Sequence, residues 1–520
     1  MGNRISRREF LKLLSLLPLS FAAPKLFPPN SHNMRTGAEN VIIVVFDAFS
    51  ALNMSLYGYH RDTTPNLNQI ASQATVYHNH YAAASFTTPG TASLLTGVYP
   101  WTHRGFRPGS TVHSAYANRN IFSLFGNYFR LTYSHNLHVN RLQNQFAAHL
   151  DLYKHREELA FGKNNWVADI FNRDDDIALL SWIRAMDLDI DGCAYSLSLS
   201  HLYGLIQDRN ADQMSALFPR GLPEISSGVF FILEDAVDWI RTAVSRVPNP
   251  FLGYFHLLPP HSPYNTRRDF VGHFKNDGWI PVAKPAHVLA KKGRDRRQVD
   301  FELYRRLYDE YILYVDAEFA RLYAALEKDG VLESSWLILT SDHGEMFERG
   351  IFQHMTPTLY QPVIRIPLLI FEPGHNSRRD VFENTSAVDL LPTLLSLTNQ
   401  SIPEWVEGRV LPPFGSLNSQ MSSVFALDAK LNNPTGPLTK ASTMIVKGGY
   451  KLTNYYGYRE LGNQGPLIEL YDVDNDADEL ADLSTIHPEV VTDLLEELEE
   501  RVASADLPYQ ESSLTGIGQD

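Results

Sequence analysis

Residues Asn40–Phe49 read NVIIVVFDAF, an unbroken run of β-branched and apolar side chains interrupted by one carboxylate, Asp47. A strand with one wet face alternates apolar and polar residues. A run without alternation needs apolar cover on both faces. A parallel strand sandwiched between helices meets that need, which constrains the chain to the α/β class. In open α/β sheets, ligands sit beyond the carboxyl ends of the strands. Asp47 stands at that end.

Further runs extend the layout. PFLGYFHLLPPHSPY (Pro250–Tyr264) reads as a buried strand followed by a His- and Pro-rich loop, and SSWLILTSDHGE (Ser334–Glu345) as a strand ending in a polar cluster. RIPLLIFEPG (Arg365–Gly374) reads as a third buried strand. Helical periodicity covers Asn66–Ala74, with Pro65 near its start, then Asp300–Lys328 and Val388–Thr398. These alternations predict a large, mostly parallel sheet flanked by helices. Beyond residue 400 the texture changes to dense turns. Short strands are expected at Ser422–Leu427, Ala441–Val446, Gly449–Tyr455 and Ile468–Asp472, then an acidic helix over Glu489–Glu500. The expected organisation is an N-terminal segment over 1–37, a catalytic domain over 38–400, and a smaller α+β subdomain with a flexible tail over 401–520. Residues 105–245 carry no clear periodic signal.

Charge and cysteine content narrow the function classes. A formal net charge of −14 argues against a general nucleic-acid binder. The single cysteine, Cys193, excludes an intrachain disulfide framework and a thiolate metal cluster, and reads as an ordinary core or loop thiol. At the N-terminus SRREFLK (Ser6–Lys12) precedes the apolar LLSLLPLSFAA (Leu13–Ala23), too short to span a bilayer. This resembles a twin-arginine (Tat) export signal. The resemblance implies passage through the Tat translocase, already folded, to the periplasm or cell exterior. No A-x-A cleavage site follows, so retention as a membrane anchor stays open.

Four features converge if the sheet is parallel: Asp47, the Ser85–Gly97 stretch SFTTPGTASLLTG, the loop bearing His256 and His261, and Asp342-His343. Asp and His at strand ends suit a divalent cation with mixed oxygen and nitrogen ligands. A hydroxyl beside such a cation loses its proton readily and becomes a nucleophile near neutral pH. A helix starting near Pro89 would aim backbone N–H groups at an incoming anion. Together they suit phosphate or sulfate ester chemistry.

The motifs NVIIVVFDAF, LYGYHRDTTPNL, TTPGTASLLTGVYP, HSPY, LILTSDHGE, IRIPLLIFEPG, VDLLPTLL and ELYDVDNDADEL resemble the sulfatase branch of the alkaline phosphatase superfamily, over most of residues 38–500. The resemblance implies that Asp47, Asp342 and His343 hold one divalent metal ion (Ca, Mn, Zn or Mg), with Thr87 as a further ligand and the nucleophile. It implies substrate-contacting or leaving-group roles for His261 and His354. It assigns His135 and His138, in YSHNLH, to a substrate-binding region. Ser85 and Thr88 become supports for Thr87.

The departures are informative. Formylglycine sulfatases need Cys or Ser at the first position of C-x-P-x-R, where this chain has Thr87-Thr88-Pro89-Gly90-Thr91. Threonine carries a methyl on its β-carbon and cannot become formylglycine. Threonine there is familiar from phosphodiesterases, phosphoethanolamine transferases and glycerophosphate-polymer synthases of the superfamily. Ala48 and Leu52 stand where relatives carry acids. Asp316 is a candidate for a second metal set or a structural acid at a helix N-terminus. His78 and His80 alternate as residues of an edge strand do, and also form a candidate metal pair.

The expectation is an exported, metal-dependent hydrolase or transferase of phosphate or sulfate esters, with phosphoesters favoured and no formylglycine. Its substrate would be a small-molecule, glycan or lipid ester; nucleic acid is not expected, and oligomeric state is left open. The alternatives are a catalytically impaired relative that binds an anionic glycan or lipid, and a membrane-anchored transferase.

Overall fold

The computed structural model describes residues 38–161, 209, 212–226, 229–290, 298–374, 377–415, 422–463 and 465–515. The twin-arginine segment and Cys193 lie outside the described residues, as does much of the 105–245 stretch. No described helix is long and apolar enough to cross a membrane.

The main sheet is built from β1 (Asn40–Phe46), β2 (Thr75–Tyr77), β3 (Phe129–Ser134), β4 (Leu152–Lys154), β5 (Phe251–Leu257), β6 (Ser335–Thr340), β7 (Leu368–Phe371) and β8 (Arg379–Val381). Their order across the sheet is β8-β2-β7-β6-β1-β5-β3-β4. β1 pairs in parallel with β5 and β6, Val44 lying opposite Phe255 and Leu339. The carboxyl ends carrying Asp47, His256 and Asp342 are therefore level with one another. β7 runs antiparallel to both β6 and β2, so the sheet is mixed rather than wholly parallel. The β6–β7 connection carries a short hairpin, Phe347–Glu348 paired with Ile351–Phe352, and one four-residue helix, Gln361–Ile364. It returns the chain without the long crossover helix that parallel pairing usually employs.

The unbroken apolar run of β1 is explained by its two covered faces. Ile42, Val44 and Phe46 join a core with Tyr308, Tyr311, Ile312, Val315 and Phe319. Val41, Ile43 and Val45 join a second core with Leu94, Leu95, Leu391 and Leu394. The helices that matter are α1 (Pro65–Ile70), α2 (Thr87–Thr96), α3 (Leu137–Gln145), α4 (Leu233–Val244), α5 (Gln298–Lys328), α6 (Leu390–Leu397) and α7 (Pro488–Thr515). Every residue of α2 is buried. Its first turn presses on the end of β6: a Cβ at Gly90 would sit 2.3 Å from the Asp342 carbonyl oxygen. Glycine is the residue that lets the helix start so close to the strand end.

The smaller sheet is antiparallel throughout, in the order β9 (Val424–Asp428), β10 (Ala441–Lys447), β11 (Tyr450–Tyr456) and β12 (Leu467–Asp472). Leu494 and Leu498 of α7 pack on its Phe425, Leu452 and Leu470. The end of β9 runs beside the approach to α2, where Leu427 N donates to Ala83 O at 2.9 Å.

Asp316 lies within α5, and its carboxylate serves a different helix. It accepts from Asn66 N at 2.9 Å, Asn66 Nδ2 at 2.7 Å and Leu67 N at 2.8 Å, satisfying the first turn of α1. Asp316→Ala should therefore lower unfolding free energy by about 2–4 kcal/mol, because it orphans buried donors as well as removing their acceptor. Denaturant titration checks this; a loss under about 0.5 kcal/mol would contradict the capping role. His78 and His80 are each held separately, His78 Nε2 by Asp380 Oδ1 at 2.7 Å and the buried His80 Nδ1 by Thr385 Oγ1 at 2.9 Å.

Candidate active site

The level strand ends and the start of α2 bring Asp47, Thr87, Asp342 and His343 together. Thr87 Oγ1 lies 3.3 Å from His343 Nε2. That nitrogen is 3.4 Å from Asp47 Oδ1 and 3.6 Å from Asp342 Oδ2. His343 Nδ1 is 2.9 Å from the Gly344 carbonyl, which can only accept. Nδ1 therefore carries the proton of the neutral ring, and the lone pair of Nε2 faces the cluster.

The donor set fits a divalent cation. One ligand atom from each of Asp47, Asp342 and His343 lies within 4.8 Å of the others, and all three residues are buried. Asp47 Oδ1 is buried with no hydrogen-bond donor among the described residues. An orphaned carboxylate oxygen in the interior is costly unless a cation faces it. Two carboxylates, an imidazole and a hydroxyl suit a hard or borderline divalent ion.

The charges of the metal-free cluster compensate one another. Burial works against ionising Asp47, but the imidazoles of His261, His256 and His343 outweigh it and hold the carboxyl well below its usual range. Burial and the neighbouring Asp47 push Asp342 upward. Burial alone would lower His343; Asp342 and Asp47 reverse that and raise it to about 9. Without a metal, a proton on His343 supplies the positive charge.

Two residues complete the support of Asp47. His256 Nε2 is 3.3 Å from Asp47 Oδ2, and Asn136 Nδ2 donates to the same oxygen. His256 is thus neither exposed nor an idle core ring. Asn136 was not singled out from the sequence, although it sits inside YSHNLH. Its flanking histidines are placed differently. His135 is fully buried, accepts from Leu258 N at Nδ1, and stacks on Phe231 with centroids 4.0 Å apart. His138 is half-buried beside Gly109, where an added Cβ would meet its Nδ1 at 3.0 Å. The structure does not bring either ring into the Asp47–Asp342–His343 group.

His354 and His261 stand next to the cluster. The His354 ring is 4.3 Å from His343 and 4.8 Å from His261, centroid to centroid. Glu345 Oε1 is 3.0 Å from His354 Nδ1, and Glu345 Oε2 accepts from Tyr264 Oη at 3.1 Å. Burial raises the Glu345 carboxyl to about 7. Burial, and then the charges of His343 and His261, hold His354 well below its ordinary value. His261 Nδ1 is 2.7 Å from the Ser262 carbonyl, which fixes its tautomer with Nε2 available. Glu345 belongs to the TSDHGE motif, yet nothing local to it predicts contact with a residue nine positions on.

The hydroxyls around Thr87 are engaged as supports. Thr88 Oγ1 accepts from Gly109 N at 2.9 Å, and Ser85 Oγ donates to Asp428 Oδ2 at 3.0 Å. Thr91 Oγ1 reaches Asp342 Oδ2 at 3.5 Å. Ala48 takes a positive φ of 60°, and its N–H points at Asp342 Oδ1 at 3.4 Å.

Comparisons with known proteins bear on the family and the fold. The sulfatase family model matches residues 39–400, and the model for the C-terminal part of N-sulphoglucosamine sulphohydrolase matches 348–506. An uncharacterized sulfatase of Escherichia coli (strain K12), YidJ, is 24% identical over 388 residues, 71% of this chain and 69% of that protein. Arylsulfatase K of Canis lupus familiaris is 22% identical over 498 residues, 89% of this chain and 82% of that protein. Among solved structures, the phosphonate monoester hydrolase of Agrobacterium radiobacter superposes with a TM-score of 0.63 at 18% identity, over 90% of this chain and 96% of that one. A 2-O GAG sulfatase superposes with a TM-score of 0.61 at 16% identity, over 90% of this chain and 92% of that one.

Proposed function

The chain belongs to the sulfatase family and is a sulfatase-like hydrolase, and from that premise we propose that it cleaves phosphate or sulfate esters with Thr87 as nucleophile. The observation that carries this reading is the placement of Thr87 Oγ1, 3.3 Å from His343 Nε2. It stands at the first residue of a buried helix and beside two buried carboxylates. Asp47, Asp342, His343 and Thr87 Oγ1 would hold a divalent cation, which supplies Lewis acidity to the hydroxyl and to the group transferred.

The protein's own groups do the rest. Asn136 and His256 orient Asp47, and the Gly344 carbonyl keeps His343 Nε2 turned toward Thr87. The α2 N-terminus presents backbone N–H groups to the anionic ester. Thr87 Oγ attacks phosphorus or sulfur in line, forming a threonine ester as the bond to the leaving oxygen breaks. His354 or His261 takes up the proton that the Thr87 hydroxyl loses and passes it to that leaving oxygen. Water, or an acceptor alcohol, then displaces Thr87. The methyl on the Thr87 β-carbon rules out conversion to formylglycine, so in this route the hydroxyl itself is the nucleophile. Phosphoesters are favoured for that reason, and the phosphonate monoester hydrolase among the structural neighbours is consistent with it. The SRREFLK–LLSLLPLSFAA segment supports export by the Tat route to the periplasm or cell exterior.

The test combines elemental analysis with aryl sulfate, aryl phosphate, bis-aryl phosphate and aryl phosphonate monoester assays on one preparation. The expected result is about one divalent ion per chain and turnover of at least one phosphorus ester. A stoichiometric ion with no turnover of any ester would overturn the reading.

A further inference from the structure

The loop after the first strand of the C-terminal sheet brings a cation beside the segment that leads into Thr87. Lys430 follows β9 and lies near Phe86, the residue before Thr87, its Nζ 5.8 Å from the ring centroid. The two segments run side by side, joined by Leu427 N to Ala83 O at 2.9 Å. Ser85 Oγ ties them again, reaching Asp428 Oδ2 at 3.0 Å and the Thr356 carbonyl at 3.2 Å. Thr356 is two residues beyond His354, and the charge of Lys430 is one of those felt at the His354 ring. Thr87, His354 and Lys430 thus lie on three segments that are tied directly to one another.

The loop carrying Lys430 is locked in place. Arg104, buried in the left-handed conformation at φ 61°, donates to the carbonyls of Pro434 and Gly436 and to Asp506. Arg107 donates to Asn432 O, and Asn432 Nδ2 donates to the carbonyls of Ala429 and Lys440. These bonds fix the backbone from which Lys430 projects, and the ion pair with Asp428 places its ammonium. The hydrogen bond of Lys430 to a described residue is that to Asp428 Oδ2 at 3.2 Å, and its side chain is 16% exposed. An ammonium has three N–H donors, so the ion pair leaves donors for a ligand.

Resting on the ester-hydrolase reading above, we infer that Lys430 is a specificity-determining residue that binds a second negative charge on the substrate, selecting dianionic esters over monoanionic ones. A phosphate monoester carries two charges at pH 8, whereas a sulfate monoester or a phosphate diester carries one. The ammonium contributes most where that second charge is present.

The experiment is the Lys430→Gln variant assayed at pH 8 on 4-nitrophenyl phosphate, bis(4-nitrophenyl) phosphate and 4-nitrophenyl sulfate. A fourth ester, 4-nitrophenyl sulfate carrying a ring carboxylate, places the second charge on the leaving group. The expected result is a loss in kcat/KM of about 10- to 100-fold for a dianionic ester and under about threefold for the monoanionic ones. Which dianionic ester suffers tells whether the charge is read on the transferring or the leaving group. Lys430→Arg should restore most of the difference. Equal losses on all four esters, or recovery in the Asp428→Asn/Lys430→Gln double variant, would reduce Lys430 to a structural partner of Asp428 and overturn the inference. Calorimetry with inorganic phosphate on the metal-loaded protein separates the two readings. If no ester is turned over, weaker phosphate binding by Lys430→Gln still supports the role of Lys430, and unchanged binding ends it.

Discussion

Thr87→Ala should abolish ester turnover, by about 10⁴-fold or more in kcat. The substitution deletes the atom that forms the covalent bond and leaves the surrounding donors in place. Thr87 is the first residue of a ten-residue helix whose every member is buried, so loss of its hydroxyl and methyl should also cost roughly 1–2 kcal/mol of stability. Thr87→Ser retains the oxygen and should stay within about tenfold of the parent, since only a rotamer-restraining methyl is lost. Ser85 and Thr88 do not offer a substitute, because their hydroxyls are committed to Asp428 and Gly109. Steady-state rates on the aryl ester panel check the pair of variants. Intact-protein mass after acid quench should show a phosphoryl adduct on the parent and none on Thr87→Ala. Turnover by Thr87→Ala within tenfold of the parent would remove Thr87 as nucleophile.

Stripping divalent ions with a chelator should eliminate turnover and lower thermal stability together. The site holds two fully buried carboxylates, Asp47 and Asp342, close enough to share one ion. At a free metal concentration a thousand times the dissociation constant, binding stabilises the native state by about 4 kcal/mol. For a chain of 520 residues that corresponds to roughly 4 °C in Tm. The pH dependence has a definite sign. In the metal-free protein, burial opposes charging His343, but Asp342 and Asp47 raise it to about 9. Its contribution to metal-free stability is complete below about 6.5, the unfolded value, and is lost as pH rises through 9. The metal needs the neutral ring, so its binding releases that proton and tightens by about tenfold per pH unit up to about 9. The Tm drop on chelation should therefore grow between pH 6.5 and 9. A drop that shrinks over that window, or no change in Tm at all, would contradict a metal on this cluster. Calorimetry in buffers of different ionisation enthalpy counts the released proton directly.

Much of the site was legible in the chain because its parts occupy short, patterned segments. Asp47 ends an apolar run that only a doubly covered strand can use, and Asp342-His343 ends another. Thr87 opens a small-residue helix whose Gly90 permits the packing against Asp342. The roles of Asn136 and Lys430 were not legible. Asn136 meets Asp47 across 89 positions of sequence, and Lys430 comes up beside Phe86 from the loop after β9. His135 and His138 show the complementary limit: the segment that carries them does arrive at the site, but the residue whose side chain touches Asp47 is the asparagine between them.

The sequence by itself determined the α/β class, the family, and the hydroxyl, carboxylate and imidazole types at the strand ends. Those properties follow from periodicity and residue chemistry, which act over a few positions. The tertiary structure decided the rest. The reversal of β7, the approach of the His354 ring to His343 and the arrival of Lys430 beside Phe86 depend on sheet order and on loops packed from distant segments. Side-chain direction at such a convergence is set by the neighbours it packs against, and those neighbours come together only when the chain has folded.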